Sequence, residues 1–248
     1  MFNDEIPQPY EWMRRTGRPV GQQFGYMYDG FFTEEEAANY ASLKGKEGGI
    51  PDHGEGFTPL AGDVKYKDLN GDHKIDNNDV SAIGNPIYPL LTGNLSMGFS
   101  WKGLDFSMTW AGAFKTSRLV ADFYRYPFGS TNNRSLLKYM IDDAWTPEKG
   151  NSAKAPAISL TNSKPNNYKD SDLWLRDASY VRLKNLEVGY SFPQGLLSKM
   201  HLSSLRISLS GYNLLTFDAL GFSDPESNPS GDTYPLVKVI NFGLKVGF

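Results

Sequence analysis

The feature that most constrains this chain is the alternation of very long and very short connections between runs of period-two hydrophobicity. Leu95, Met97, Phe99 and Trp101 share one face of an alternating run, and after Lys102-Gly103 so do Leu104, Phe106, Met108 and Trp110. That spacing predicts two strands joined by a two-residue turn. A third run covers Val181 to Phe192, with Val188, Tyr190 and Phe192 in phase and Val181 and Leu183 out of phase. A phase change inside one run predicts a bulge, here near Lys184-Asn185. Leu205, Ile207 and Leu209 mark a fourth strand, and Ile240, Phe242, Leu244, Val246 and Phe248 a fifth. Gly21 to Tyr28 reads as a sixth, preceding the others.

The connections set the topology. About 60 residues separate the Gly21–Tyr28 run from the next strand, and about 65 follow Phe114, lengths that few compact domains carry as loop. Lys102-Gly103 and the link through Pro193 and Gly195 are short. In an antiparallel up-and-down sheet, strict alternation puts the long loops at one end and the tight turns at the other. Transmembrane β-barrels of the outer membrane are built this way. Strands of about 10–12 residues also fit a tilted crossing of the hydrocarbon layer. The faces opposite the apolar ones carry Ser96, Gly98 and Ser100, and Asn241, Gly243, Lys245 and Gly247, as a wet lumen would require. The same pattern describes a soluble β-sandwich or jelly roll, so both architectures stand at this point. Six strands are too few to close a transmembrane barrel, whose smallest examples have about eight. The membrane reading therefore makes this chain part of something larger. The first residues, Met1 to Pro7, show neither a basic stretch nor an apolar core of a secretory leader.

Composition narrows the function. The 25 glycines, 15 prolines and many aromatics suit an all-β chain. A net charge of −3 leaves no basic excess for nucleic acid. With no cysteine, thiolate zinc sites and disulfide scaffolds are excluded. No apolar run reaches the roughly 18 residues of a transmembrane helix.

The two long segments have their own features. The first, residues 29–89, contains Thr33-Glu34-Glu35-Glu36, a capped helix start with acidic residues in its first turn. The second, residues 115–179, carries a helical stretch from Asn133 to Trp145, with Leu136, Leu137, Met140, Ile141 and Trp145 at 3.6-residue spacing before Pro147. Residues 180–248 hold the last three strands.

The sharpest local motif runs from Asp68 to Asp79. Asp68, Asn70, Asp72, Asp76 and Asp79 place side-chain oxygens at loop positions one, three, five, nine and twelve, and Lys74 supplies a backbone carbonyl at seven. A hard cation such as Ca²⁺ needs six or seven converging oxygens, and this spacing wraps a chain around one. Ile75 supplies an apolar seat. His73 stands where glycine is usual for a left-handed turn, and Asp79 where a longer glutamate is usual. The motif predicts a structural Ca²⁺ that pins a long loop, against an Asx-rich turn that binds nothing.

Catalytic constellations are thin. His53, His73 and His201 have no partners at metal or triad spacing. Asp142-Asp143 reads as a solvated helix face, since adjacent helical residues do not face one another. Asp224-Pro225-Glu226 reads as a conformational turn. The sequence therefore predicts no enzyme.

Four segments together resemble the SusC/RagA family of TonB-linked outer-membrane transporters. They are Gly62-Asp63-Val64-Lys65-Tyr66-Lys67-Asp68-Leu69-Asn70-Gly71-Asp72, continuing through Asp76 to Ile83-Gly84-Asn85-Pro86; Leu173-Trp174-Leu175-Arg176-Asp177-Ala178-Ser179-Tyr180-Val181-Arg182-Leu183-Lys184-Asn185-Leu186; Ser210-Gly211-Tyr212-Asn213-Leu214-Leu215-Thr216-Phe217 with Asp224-Pro225-Glu226; and Tyr234-Pro235-Leu236 with Phe242-Gly243-Leu244 and Phe248. They cover nearly the whole chain. The resemblance implies that residues 1–248 are the C-terminal portion of a barrel of about 22 strands, with residues 29–89 and 115–179 as extracellular loops. It implies import of oligosaccharides or peptides with a SusD-like surface lipoprotein, driven by TonB through an N-terminal part absent here. It also implies that Phe248 belongs to a signal for barrel assembly. The alternative reading is a soluble, calcium-stabilised β-sandwich that binds carbohydrate.

Overall fold

The structure, a computed structural model, describes residues 5–120, 124–129, 133–160, 164–221, 223–227 and 234–248. The leader reading rests partly on residues 1–4, which lie outside that set. In chain order the strands are β1 (Gln23–Gly25), β2 (Tyr28–Phe31), β3 (Val64–Tyr66), β4 (Ser81–Ile83), β5 (Leu91–Trp101), β6 (Leu104–Phe114), β7 (Ser117–Leu119), β8 (Leu175–Asp177), β9 (Tyr180–Ser191), β10 (Ser204–Asp218) and β11 (Val239–Gly247). The α-helices are α1 (Glu34–Leu43), α2 (Lys138–Asp143) and α3 (Gln194–Leu197). The chain divides into two compact units, one within residues 5–88 and 117–176, the other within 89–116, 177–227 and 234–248.

The second unit is built on one antiparallel sheet in the order β11-β10-β9-β6-β5. Each strand of this sheet lies beside the next one of the same sheet along the chain, the short β7 and β8 between β6 and β9 pairing with each other instead, so the sheet is an up-and-down meander. The β5–β6 turn holds Lys102 at φ 48° and Gly103 at φ 87°. Two left-handed residues match the right-handed twist of the flanking strands. Gly103 is doubly fixed, because a Cβ there would sit 2.4 Å from the Ser191 carbonyl oxygen.

The expected bulge lies at Lys184. Asn185 pairs with Thr109 and Leu183 with Trp110, leaving Lys184 with no opposite residue on β6. On the other side the register jumps from Tyr212–Asn185 to Leu215–Leu183, with Asn213 at φ 53°. Because pairing resumes past this kink, β10 runs to Asp218, well beyond Leu209, the last residue of its alternating run.

The run Gly21–Tyr28 is not a sixth strand of this sheet. It breaks into β1, which pairs with β4, and the start of β2, which pairs with β3. Between them the Tyr26 N–H donates to the Asp170 carbonyl at 2.8 Å, which removes the residue from any continuous ladder. The large sheet therefore has five strands.

The first unit has an aromatic core. Phe31, Phe32, Val64 and Tyr66 are fully buried, each contributing about 1.5–3 kcal/mol of hydrophobic stabilisation for the apolar side chain. Phe32 meets Tyr40 of α1 edge-on at 5.6 Å. α1 starts as its sequence demands: the Thr33 hydroxyl accepts the Glu36 N–H at 3.1 Å, and Glu36 accepts the Thr33 N–H at 2.9 Å, a reciprocal cap. α2 is shorter than its hydrophobic spacing predicts. Leu137 is extended and offers no capping side chain, and the Trp145 N–H leaves for the Ala155 carbonyl at 2.9 Å. Ile141 consequently stays exposed.

Candidate functional site

The Asp68–Asp79 turn follows β3 and closes on its own backbone. Asp68 accepts the Gly71 and His73 N–H groups, both at 2.7 Å. Asn70 accepts from Asp72 at 3.0 Å, Asp72 from Lys74 at 2.9 Å, and Asp76 from Asn78 at 2.7 Å. Asp79 ties the two ends together, accepting from Leu69 at 2.8 Å and Asp76 at 2.9 Å. His73 takes the left-handed conformation, φ 63°, that position six of such a loop requires. Ile75 is buried. Lys74 lies at a parallel bridge with Asp52. Asp79 is fully buried; burial, reinforced by the charges of Asp68 and Asp76, raises its carboxyl above the usual range. Among the described residues no three acidic or histidine side chains are grouped as a metal cluster. The turn thus gathers oxygen donors of the hard type along one loop, each also engaged with the backbone.

The histidines have conformational roles. His53 is buried, with Nδ1 2.9 Å from the Pro51 carbonyl and Nε2 accepting the Tyr66 N–H at 3.3 Å. Burial lowers its pKa to about 4. His73 and His201 occupy left-handed turn positions. Asp142 pairs with Lys138 one helical turn away at 2.5 Å on an exposed face, the solvated arrangement its sequence suggests.

The second unit presents two unlike faces. Leu95, Met97, Phe99 and Trp101 stand opposite Trp110, Met108, Phe106 and Leu104. Those in turn meet Leu183, Leu186, Val188 and Tyr190 on β9. Val188 and Tyr190 stand beside Leu209 and Ile207, which meet Phe242 and Leu244. The result is one apolar face across all five strands. It is open rather than packed, with Phe242 73% and Leu244 60% exposed. A soluble sandwich requires a second sheet over these residues; among the described residues none covers them.

The opposite face is polar in register. One row runs Gly98, Ser107, Glu187, Ser210, Asn241; the next runs Ser100, Asp105, Gly189, Ser208, Gly243. Arg206 pairs there with both Asp105 and Glu187, the latter at 3.0 Å. Gly189 makes room for it, since a Cβ would lie 2.2 Å from the Arg206 guanidinium. Farther along β9, Arg182 is 1% exposed and pairs with Asp224 at 2.8 Å and Glu226 at 2.9 Å. Lys184, the bulge residue, adds a 2.6 Å contact to Glu226. Asp224-Pro225-Glu226 is therefore a clamp that ties the β10–β11 connection to β9. Sequence reading missed this pairing; Arg182 and Asp224 are individually ordinary there, and only the fold joins them.

An up-and-down antiparallel sheet with an open apolar face, a polar reverse and an unpaired edge at each end is the fold of a transmembrane β-barrel segment. No family model matches the chain. The chain is similar to TonB-dependent receptor P3 of Formosa agariphila, 28% identical, over 100% of this chain and 24% of that protein. TonB-dependent receptor P26 of the same organism is also 28% identical, over 76% of this chain and 20% of its own length. The chain thus spans at most about a quarter of the curated relatives it matches. Among solved structures, the RagAB peptide importer in its open-open state covers 92% of this chain and 22% of its own, with a TM-score of 0.59 at 22% identity. A second structure of the RagAB peptide transporter gives 0.60 at 20% identity over the same 92% and 22%. These likenesses bear out the resemblance to SusC/RagA-type TonB-linked transporters carried by the sequence motifs.

Proposed function

We propose that this chain is part of an outer-membrane TonB-dependent importer of the SusC/RagA type, with no enzymatic role. In this reading it supplies barrel wall and the extracellular loops 29–89 and 115–179. Its apolar face meets lipid and its polar face lines the lumen. The importer takes up oligosaccharides or peptides with a SusD-like surface lipoprotein and draws energy from TonB through its N-terminal part. The observation that carries the reading is the apolar face that runs across all five strands, open on a sheet whose reverse is mainly polar. No helix among the described residues is long and apolar enough to cross a membrane. The affinity-tagged full-length protein should fractionate with outer membranes, require detergent for extraction and co-purify with a surface lipoprotein. Recovery from the soluble fraction without detergent contradicts the reading.

We infer further that the Asp68–Asp79 turn takes up Ca²⁺ as a structural ion. Asp68, Asn70, Asp72, Asp76 and Asp79 would hold it, with the Lys74 carbonyl. Support comes from the oxygen-only donor set and the left-handed His73. The ion would neutralise the crowded carboxylates around Asp79 and tighten a loop that already closes on its backbone. Removing Ca²⁺ with a chelator should speed proteolysis between residues 29 and 89. Unchanged cleavage contradicts the inference.

A further inference from the structure

The first unit contains a cleft that neither the transport reading nor the acidic turn uses. It has a volume of about 540 Å³, and its lining includes His53, Glu55, Phe57, Thr58, Lys164 and Lys169. Its walls are held by a buried polar network. The Asn166 amide donates to the Val64 carbonyl at 2.9 Å, and the Tyr66 hydroxyl donates to the Asn166 carbonyl at 2.7 Å. Asn167, fully buried, accepts the Val64 N–H at 2.9 Å and donates to Asp63 at 2.8 Å. Such a framework fixes the cleft before any ligand arrives, which reduces the ordering needed on binding.

The two lysines differ. Lys164 is already neutralised, 2.9 Å from Asp63, and also donates to the Thr58 carbonyl at 2.9 Å. Lys169 is half-buried and, among the described residues, makes no direct ion pair; the charge of Asp79 reaches it only at longer range. Its ammonium sits 4.8 Å from the Tyr26 ring centre and 5.7 Å from that of Tyr66. Ring faces compensate a partly desolvated ammonium only in part. Burial holds its pKa below the ordinary lysine value, against the opposing pull of Asp79. Exposed Glu55 is the other uncommitted charge of the lining. One unmatched positive charge with a carboxylate nearby suits one negative charge and disfavours two.

We propose that this cleft binds a singly charged oxyanion, a carboxylate or a sulfate ester, through the Lys169 ammonium, with Phe57 and Thr58 flanking the group that carries it. A charge-assisted hydrogen bond to a partly buried ammonium supplies the specificity. The proposal concerns binding to the first unit and stands apart from the transport reading.

Saturation-transfer NMR on the full-length protein in detergent micelles tests it, with N-acetylglycine, glucuronate and methyl sulfate as probes and N-acetylglycinamide as the neutral control. At least one anionic probe should saturate while the control does not. The tighter of N-acetylglycine and glucuronate shows whether a peptide or a sugar is the source of the carboxylate. Lys169→Met should weaken binding at least tenfold and Lys169→Arg should retain it. Glu55→Gln, at an exposed position, should leave binding intact or tighten it, and it reads the charge balance even if Lys169→Met does not fold. Equal binding of the neutral control, full binding by Lys169→Met, or weaker binding by Glu55→Gln overturns the proposal.

Discussion

The two units of this chain use the same residue types in opposite ways. In the first, Phe31, Phe32 and Tyr66 are sealed inside, and the buried Asn167 amide bonds to both Val64 and Asp63. In the second, Phe99, Phe242 and Leu244 lie open on a sheet surface while serines, glycines and ion pairs fill the reverse. A water-soluble protein rarely exposes so large a contiguous apolar area. The first unit is ordered by exclusion from water, as in ordinary globular proteins. The second has its backbone satisfied strand to strand and leaves its apolar side chains for another solvent. Where such a sheet meets lipid, hydrogen bonding rather than hydrophobic burial decides which structures survive.

The contrast can be broken in graded steps. The largest effect should come from Arg182, the buried charge that couples β9 to Asp224 and Glu226. Removing one partner of a buried pair leaves an uncompensated charge, costing about 3–5 kcal/mol. Arg182→Ala should therefore destabilise the second unit strongly while leaving proteolysis of the first unit unchanged; equal loss in both units contradicts the division drawn here. A somewhat smaller effect should separate the units by pH. His53 has a folded pKa of about 4 against 6.5 when exposed. Its contribution is fully present above pH 6.5 and is lost as pH falls from 6.5 towards 4. The span corresponds to about 3 kcal/mol of stability in the first unit. Protonation also sets a new Nε2 donor against the Tyr66 N–H. Asp52 opposes the shift, and Lys65 and Lys169 reinforce it. Hydrogen exchange between pH 7 and 4 should show the first unit loosening while the sheet holds its protection, and His53→Gln should flatten that dependence. Parallel loosening of both units, or none, counts against it.

Much of the second unit was legible because its signals are local. Alternation marks each strand, Lys102-Gly103 demands its turn, and the phase change between Leu183 and Val188 marks the bulge at Lys184. The first unit was less legible. Thr33 announced its helix, since a cap and its box lie within one turn. The 21–28 run alternates like a strand, but its partners are Ser81–Ile83 and Val64–Tyr66, which alternation cannot identify. The stretch from Asn133 has helical spacing but no cap, so only the six residues Lys138–Asp143 form a helix. The candidate site divides in the same way. The acidic turn is contiguous and its left-handed His73 could be anticipated. By contrast, Arg182 finds Asp224 42 residues away and Arg206 finds Asp105 101 residues away. Such pairings follow from strand register and the course of a loop, which no local pattern encodes.

Residues 240–247 offer the most direct test of the central claim, that one face of the sheet meets lipid and the other water. The chain contributes no cysteine of its own, so once any cysteine elsewhere in the full-length protein is replaced by serine, single cysteine substitutions along β11 can each carry one spin label in a lipid bilayer. Collisions with oxygen should peak at Ile240, Phe242, Leu244 and Val246, and collisions with a water-soluble nickel complex at Asn241, Gly243 and Lys245. A profile without period two, or with the two reagents exchanged, contradicts the account.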